Sequence, residues 1–261
     1  MKPSELFSLE GKTAMVTGGG GAIGSALAAG LCEAGADLAI ADRSGSALKA
    51  SCSLIEEIGK TPLVISADLT KTEEAERAVA EVMERFGRLD IIVNAIGGGA
   101  GKVLFDAEEY PVTEWDWIID LNLTTTRLAT QAAVKAMIQG GRGGKVVNIS
   151  SVRGQLGINA GYSAYVAAKG AIDSLTRQWA TEWAKHGITV NAIDPTFVDT
   201  PQVAMLLDDP EFKAGIVSRV PLGRIGQPGD LLGPILMFSS AASAFVTGQI
   251  LTIDGGLTAT Q

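Results

Sequence analysis

A phenol and an ammonium stand four residues apart in Tyr165-Val166-Ala167-Ala168-Lys169, so a helix there puts both on one face. A free phenol has a pKa of about 10 and is a poor base at neutral pH. A cation beside it favours the phenolate and brings proton transfer within reach. Spacing alone does not make a site, because helical pairs four apart are common and most are structural.

A second group of residues suits an anion. The run Gly18-Gly19-Gly20-Gly21-Ala22-Ile23-Gly24 follows an apolar stretch at 13–17 and opens a helical one. Gly19, Gly21 and Gly24 satisfy G-x-G-x-x-G, a weak signal in a string of glycines, with a flexible turn as the alternative. The strand–turn–helix frame strengthens it. There a helix N-terminus offers N–H groups and a positive dipole end to a pyrophosphate. About twenty residues on, where an acid would hold both ribose hydroxyls and repel a 2′-phosphate, stands Asp42. That favours NAD over NADP as cofactor. Arg43 pulls the other way, since an arginine there can pair with a 2′-phosphate or stack on adenine.

The elements that must position these residues follow from the hydrophobic pattern. Apolar runs at 13–17, 37–41, 63–66, 89–94, 145–150, 189–193 and 249–253 read as strands. Helix-period segments fill 25–34, 47–58, 72–86, 115–138, 164–185 and 229–239. The alternation predicts one doubly wound, Rossmann-type α/β domain over 1–261, with a mostly parallel sheet and helices on both faces. Residues 200–219 break the rhythm at Pro201 and Pro210, and a lid or substrate loop is expected over about 196–220.

Composition sets the outer limits. With 261 residues, 46% hydrophobic and 19% charged, the chain can bury a sizeable core, and disorder is expected only at its ends. A net charge of −8 with no Lys/Arg cluster argues against nucleic acid or a membrane surface as partner and for a small-molecule substrate. No apolar run has bilayer length and residues 1–10 carry no signal-peptide core, so a cytoplasmic location is expected. Cys32 and Cys52 match no metal or redox spacing. His186, the one histidine, precedes Gly187 and reads as a helix C-terminus, so no metal site is expected.

Taken together, the motifs resemble the short-chain dehydrogenase/reductase family from Leu9 to Gly256. They are Thr17-Gly18…Ile23-Gly24, Asp68-Leu69, Asn94-Ala95-Ile96-Gly97, Asn122, Ser150-Ser151, Tyr165…Lys169, Asn191…Pro195 and Asp254-Gly255-Gly256. The resemblance implies an oxidoreductase moving a hydride between NAD(H) and a secondary alcohol or ketone. It implies Tyr165 as general acid/base and Lys169 as the partner that lowers its pKa and holds the nicotinamide ribose. Ser151 would polarise the substrate oxygen, and Asn122 would kink a helix and position a relay water. Gly18, Gly20, Gly21, Ile23, Gly24, Asp42, Arg43, Asp68, Leu69, Asn94, Ala95, Pro195, Val198 and Thr200 would bind cofactor along with Tyr165 and Lys169. A homotetramer built on helices 115–138 and 164–185 is implied, with Trp179 and Trp183 either at the interface or in the core.

The chain departs from the family pattern in three places. Ala22 replaces a glycine in the turn, Ala95-Ile96 replaces Asn-Ala, and Thr196 follows Pro195 in place of glycine, which puts the local backbone in question. The stretch from Ser151 to Tyr165 is one residue longer than expected, which leaves Ser150 as the fallback. Residues 97–101, Arg153, Gln155, Asn159, Tyr162 and Thr196 would line a substrate site together with Ser151 and Tyr165. Arginine suits bidentate carboxylate recognition. These polar groups point to a polyol, sugar or sugar acid, and residues 254–261 look similar to gluconate 5-dehydrogenase-like members; ordinary loop polarity is the alternative. A second possibility is an NADPH-dependent 3-oxoacyl-thioester reductase, against which the acidic chain and Thr181 weigh. A third is a non-catalytic NAD(H)-binding sensor, against which the intact Asn122, Ser151, Tyr165 and Lys169 weigh.

Overall fold

In strand β1 (Thr13–Thr17) all five residues are buried, which a sheet allows only when both of its faces are covered. The computed structural model describes residues 2–99, 103–201, 203–204 and 208–260. Its other strands are β2 (Asp37–Asp42), β3 (Leu63–Ser66), β4 (Ile91–Asn94), β5 (Gly144–Ile149), β6 (Ile188–Pro195) and β7 (Ile250–Ile253). They form one parallel sheet in the order β3-β2-β1-β4-β5-β6-β7. The chain builds outward from β1 to β3, then returns to set β4 on the other side of β1. The crevice left at such a reversal, at the carboxyl ends of the strands, is where ligands of open α/β sheets bind.

The helices are α1 (Pro3–Leu6), α2 (Ala22–Glu33), α3 (Gly45–Glu57), α4 (Thr72–Phe86), α5 (Val112–Ile119), α6 (Thr125–Gly140), α7 (Ser163–Trp183), α8 (Pro210–Val217) and α9 (Leu232–Ser239). Because side chains alternate along a strand, β1 feeds two cores. Met15 joins α4, α6 and α7 through Val79, Leu128 and Trp179. Ala14 and Val16 join α2, α3 and α9 through Leu27, Leu48 and Phe238. Local chemistry sets the helix ends: Ser44 Oγ accepts from Ala47 N at 3.3 Å to start α3, and Gly87 at φ 70° closes α4. Of the described helices, none is long and apolar enough to cross a membrane.

The structure revises several expected boundaries. The helix foreseen at 115–138 runs from Val112 to Gly140 and is interrupted by a π-turn at Asp120–Thr124. The long C-terminal helix ends at Trp183, and His186 sits in a 3-10 turn closed by Gly187 at φ 71°, as its neighbours suggested. Residues 200–219 are not irregular throughout: Asp209 caps α8, its Oδ1 accepting from Glu211 N and Phe212 N. Gln202, Met205, Leu206 and Leu207 of that loop lie outside the described residues. Chain termini were expected to be disordered, yet a turn of helix forms at α1. Trp179 is core, 6% exposed and stacked on Trp183 at 5.2 Å.

The side chain of Asn94 serves the core. β4 does end there, beside the crevice, but the side chain faces inward and is 1% exposed. Its Nδ2 donates to Thr130 Oγ1 at 2.8 Å and to Asn148 Oδ1 at 2.9 Å, and Asn148 Nδ2 donates to Thr176 Oγ1 at 2.9 Å. The chain of amides ties β4 and β5 to α6 and α7. Asn94→Leu would strand buried polar partners, and each stranded group costs about 1–3 kcal/mol. The expected loss is therefore at least about 2 kcal/mol, read by urea unfolding.

Candidate active site

The glycine turn is held by close backbone approach. Gly18 takes φ +69°, and a Cβ there would stand 2.7 Å from Ala95 C and O. A Cβ on Gly24 would stand 2.1 Å from Gly18 O, so α2 can start directly on the turn only with glycine at that position. No side chain caps the start of α2, where Gly21 is the N-cap, and Ala22, Ile23 and Gly24 line the crevice. Free N–H groups and a positive dipole end there fit a pyrophosphate. The methyl of Ala22 is accommodated on this partly exposed turn.

Asp42 ends β2 beside the turn. Its Oδ2 accepts from Gly20 N at 3.2 Å and its Oδ1 from Ser44 N at 3.0 Å, which fixes the carboxylate. Arg43 is close enough to act on Asp68, whose carboxyl is held below its usual range mainly by the Thr70 hydroxyl at 2.7 Å. Leu69, expected to touch adenine together with Asp68, keeps its side chain in the α4-side core, 2% exposed, which leaves its backbone for such a contact.

The π-turn turns Asn122 inward. Its Nδ2 donates to Ile118 O at 2.9 Å and Gly98 O at 3.1 Å, while Oδ1 accepts from Gly98 N at 3.0 Å. The opened turn leaves the Ile118 carbonyl free for a side chain. Lys169, one turn after Tyr165 on α7, is 2% exposed and donates to Ile149 O at 2.9 Å. A Cβ on Gly97 would fall 2.9 Å from Asn122 Oδ1 and 3.1 Å from Lys169 Nζ, so both polar ends face one small space.

Tyr165 faces the same crevice as the glycine turn, with Ser151 beside its hydroxyl and Tyr162 edge-on at 6.3 Å. The expected electrostatics differ from those found. Burial pushes the phenol up to about 12; the hydrogen bond from Ser151 and the charge of Arg153 draw it down, while Tyr162 and Asp194 oppose them. Lys169 is not among the groups that lower it. Its ammonium is turned to Ile149 O and stands over the phenol ring, 5.6 Å from the centroid. Burial also pulls Lys169 down to about 8, with Asp173 and Asp194 holding it up. Burial disfavours the charged form of both groups, so proximity alone does not make a phenolate.

Ser151, not Ser150, is the serine at the phenol. Ser150 Oγ donates to Lys169 O at 3.1 Å on the far side. Ala95, Pro195, Thr196, Val198 and Thr200 line the crevice, as do Gly98, Gly99, Arg153 and Tyr162. Ala100 and Gly101 lie outside the described residues. Thr196 forces no strain, since among the described residues only glycines take positive φ. Arg153 is half-buried, donates to Gly157 O at 3.0 Å, and is lowered first by burial and then by the charge of Arg219. Gln155 and Asn159 do not line the crevice. Gln155 donates from Nε2 to the buried Asp194 Oδ2 at 2.8 Å, because its turn folds back over β6. Phe197 and Val203, inside the segment expected as a lid or substrate loop but not singled out there, also line the crevice. Among the described residues, no three His, Cys, Asp or Glu side chains gather as metal ligands.

A family profile described as enoyl-(acyl carrier protein) reductase matches residues 20–258. The chain is 38% identical over 254 residues to 2-dehydro-3-deoxy-D-gluconate 5-dehydrogenase of Escherichia coli, covering 96% of each. It is 36% identical over 258 residues to gluconate 5-dehydrogenase of Gluconobacter oxydans, covering 99% of each. A crystal structure of a gluconate 5-dehydrogenase from Burkholderia cenocepacia in complex with NADP and tartrate superimposes with a TM-score of 0.91 at 33% identity, covering 100% of both chains.

Gly24→Ala tests the turn. The methyl would force α2 away from Gly18 O, so the variant is expected to lose the thermal stabilisation that a nicotinamide dinucleotide gives the parent protein. An unchanged shift would mean that the turn does not hold the pyrophosphate.

Proposed function

Because the chain belongs to the short-chain dehydrogenase/reductase family, whose members use a nicotinamide cofactor on CH–OH groups, we propose that it interconverts a secondary hydroxyl and a ketone on a sugar acid. The observation that carries this is the convergence of Ser151, Tyr165 and Arg153 on one crevice that runs to the glycine turn. When bound, the nicotinamide supplies the hydride acceptor or donor. Tyr165 takes the proton of the substrate hydroxyl, or returns it in the other direction. Ser151 holds the same oxygen and stabilises the charge that develops on it. Lys169 and Asn122 hold the exit for the proton. Arg153, backed by the charge of Arg219, binds the carboxylate at the far end of the substrate. A lid role for the segment after β6 is supported by Thr196, Phe197, Val198, Thr200 and Val203, which line the crevice.

For the cofactor we propose NAD. The Asp42 carboxylate, pinned by Gly20 and Ser44, stands where a 2′-phosphate would need a cation. Arg43 and the NADP in the Burkholderia enzyme support NADP as the second reading. The family profile's description keeps an acyl-thioester reductase as a further arm of the test. We take the enzyme as a cytoplasmic homotetramer, a reading supported by exposed apolar side chains such as Val112 and Phe245 and checked by light scattering.

A panel of sugar acids, polyols and an acetoacetyl thioester, each with NAD(H) and NADP(H), should give turnover on a sugar acid with NAD. Asp42→Ala should narrow the NAD preference, and turnover confined to the thioester with NADPH would overturn the substrate assignment. Tyr165→Phe should lose about 10²–10⁴-fold in kcat, the usual size of an acid–base contribution, while NADH fluorescence still titrates. A fully active Phe variant would remove Tyr165 from the mechanism. Arg153→Ala should raise KM for the sugar acid far more than for an uncharged polyol.

A further inference from the structure

Two carboxyl groups that the proposed reaction does not use lie behind Lys169. Asp173 follows it by one turn on α7, and Asp194 comes from β6 beside Pro195; they are 2% and 0% exposed. Among the described residues no ion pair reaches either one. Oδ2 of Asp194 accepts from Gln155 Nε2 at 2.8 Å, whereas its Oδ1 and both oxygens of Asp173 have no hydrogen-bond partner. Gly154 approaches so closely that a Cβ there would stand 2.3 Å from Asp173 Oδ2. Ser150 Oγ sits within reach of both acids, but its proton is directed to Lys169 O at 3.1 Å.

Counting donors shows what is missing. The two acids present four oxygens, and the Gln155 amide is the one donor committed to them. Two buried carboxylates within electrostatic reach of each other repel when both are ionised and leave acceptors unmet, a heavy penalty. One added proton supplies the absent donor and removes half the charge. Lys169 meanwhile holds a buried ammonium with Ile149 O as its acceptor, and such a cation needs a counter-charge. We propose that Asp173 and Asp194 hold a single proton between them, and that their remaining negative charge is the counter-ion that sets the charge on Lys169. They are positioning residues acting through Lys169 and on the Tyr165 phenol. The effect on activity rests on the proton-handling roles proposed above; the shared proton does not.

Burial, then repulsion from Asp173, pushes Asp194 up to about 7, and burial pushes Asp173 above the usual carboxylate range. The charged and titratable groups around the pair are Lys169, Tyr165 and Arg177 from α7, with Arg153 from the turn after β5 and Tyr162 at the start of α7 acting on Tyr165. Arg177 is exposed and draws Asp173 down from outside. Loss of the pair's negative charge makes the phenolate easier to form and the ammonium easier to deprotonate, so both ionisations move to lower pH.

Infrared titration of the wild-type protein should show a carboxylic-acid carbonyl band that fades as pH rises through about 7. The band should be lost or moved in Asp194→Asn. In the Asp173→Asn/Asp194→Asn double variant, which removes the charge the pair carries, both limbs of the kcat/KM profile for alcohol oxidation should move down by about one pH unit, the usual effect of removing one nearby charge; either single variant keeps one carboxylate and should move them less. A merely structural role would lower kcat and leave the limbs in place. Absence of the band from the wild-type protein overturns the shared proton even if no variant folds. Unmoved limbs in the folded double variant overturn the counter-ion role. A wild-type band together with a fully active Tyr165→Phe variant would instead sink the catalytic reading and leave the shared proton standing.

Discussion

Lys169 carries a positive charge to a place that almost no solvent reaches, and much of the crevice is arranged around keeping it there. An ammonium in a low-dielectric setting is costly unless acceptors and counter-charge surround it. The carbonyl of Ile149 supplies one acceptor, and Asn122 faces the same small space across Gly97. The acids Asp173 and Asp194 supply negative charge from behind. These partners come from β5, the π-turn, α7 and β6, so the ammonium adds one shared charge to elements already joined by the sheet and by the buried amides. Water is excluded for the same reason, which raises the worth of every dipole aimed into the site.

The fold makes that arrangement possible by covering the sheet twice. Strands buried on both faces need little from their own sequence beyond apolar side chains, so their carboxyl ends are free to carry chemistry. Glycine turn, acid, serine and proline each stand at a strand end. The crevice is the seam where the winding direction reverses between β1 and β4.

What could be read from the sequence was chemistry with a short period. The glycine turn, Asp42 at a strand end, and a phenol one turn before an ammonium all depend on neighbours within a few residues, and each lies where its spacing implied. Failures came where the answer depended on distant parts of the chain. Asn94 looks the same from the sequence whether it faces the crevice or the core; Thr130 and Asn148 decide it. Gln155 looked like a substrate contact because its partner, Asp194, lies 39 residues away. The shift in Tyr165 depends on how much of the site is dry, and no residue spacing encodes that. Asp173 and Asp194 carried no local signal at all.

The π-turn at Asp120–Thr124 has a bearing on how this chain can change length. Each residue of an α-helix turns the following ones by roughly 100°. A π-turn fits about one more residue into a turn than α geometry does. Deleting one residue there would restore a regular helix and leave the buried stripe of α6, including Leu128 and Ala132, near its present phase, but the turn that aims Asn122 would be lost. Inserting a further residue, with no second π-turn to absorb it, would swing that stripe off the sheet. The stretch from Val112 to Gly140 therefore carries one residue whose work is local: the packing of α6 does not need it, and the orientation of Asn122 does.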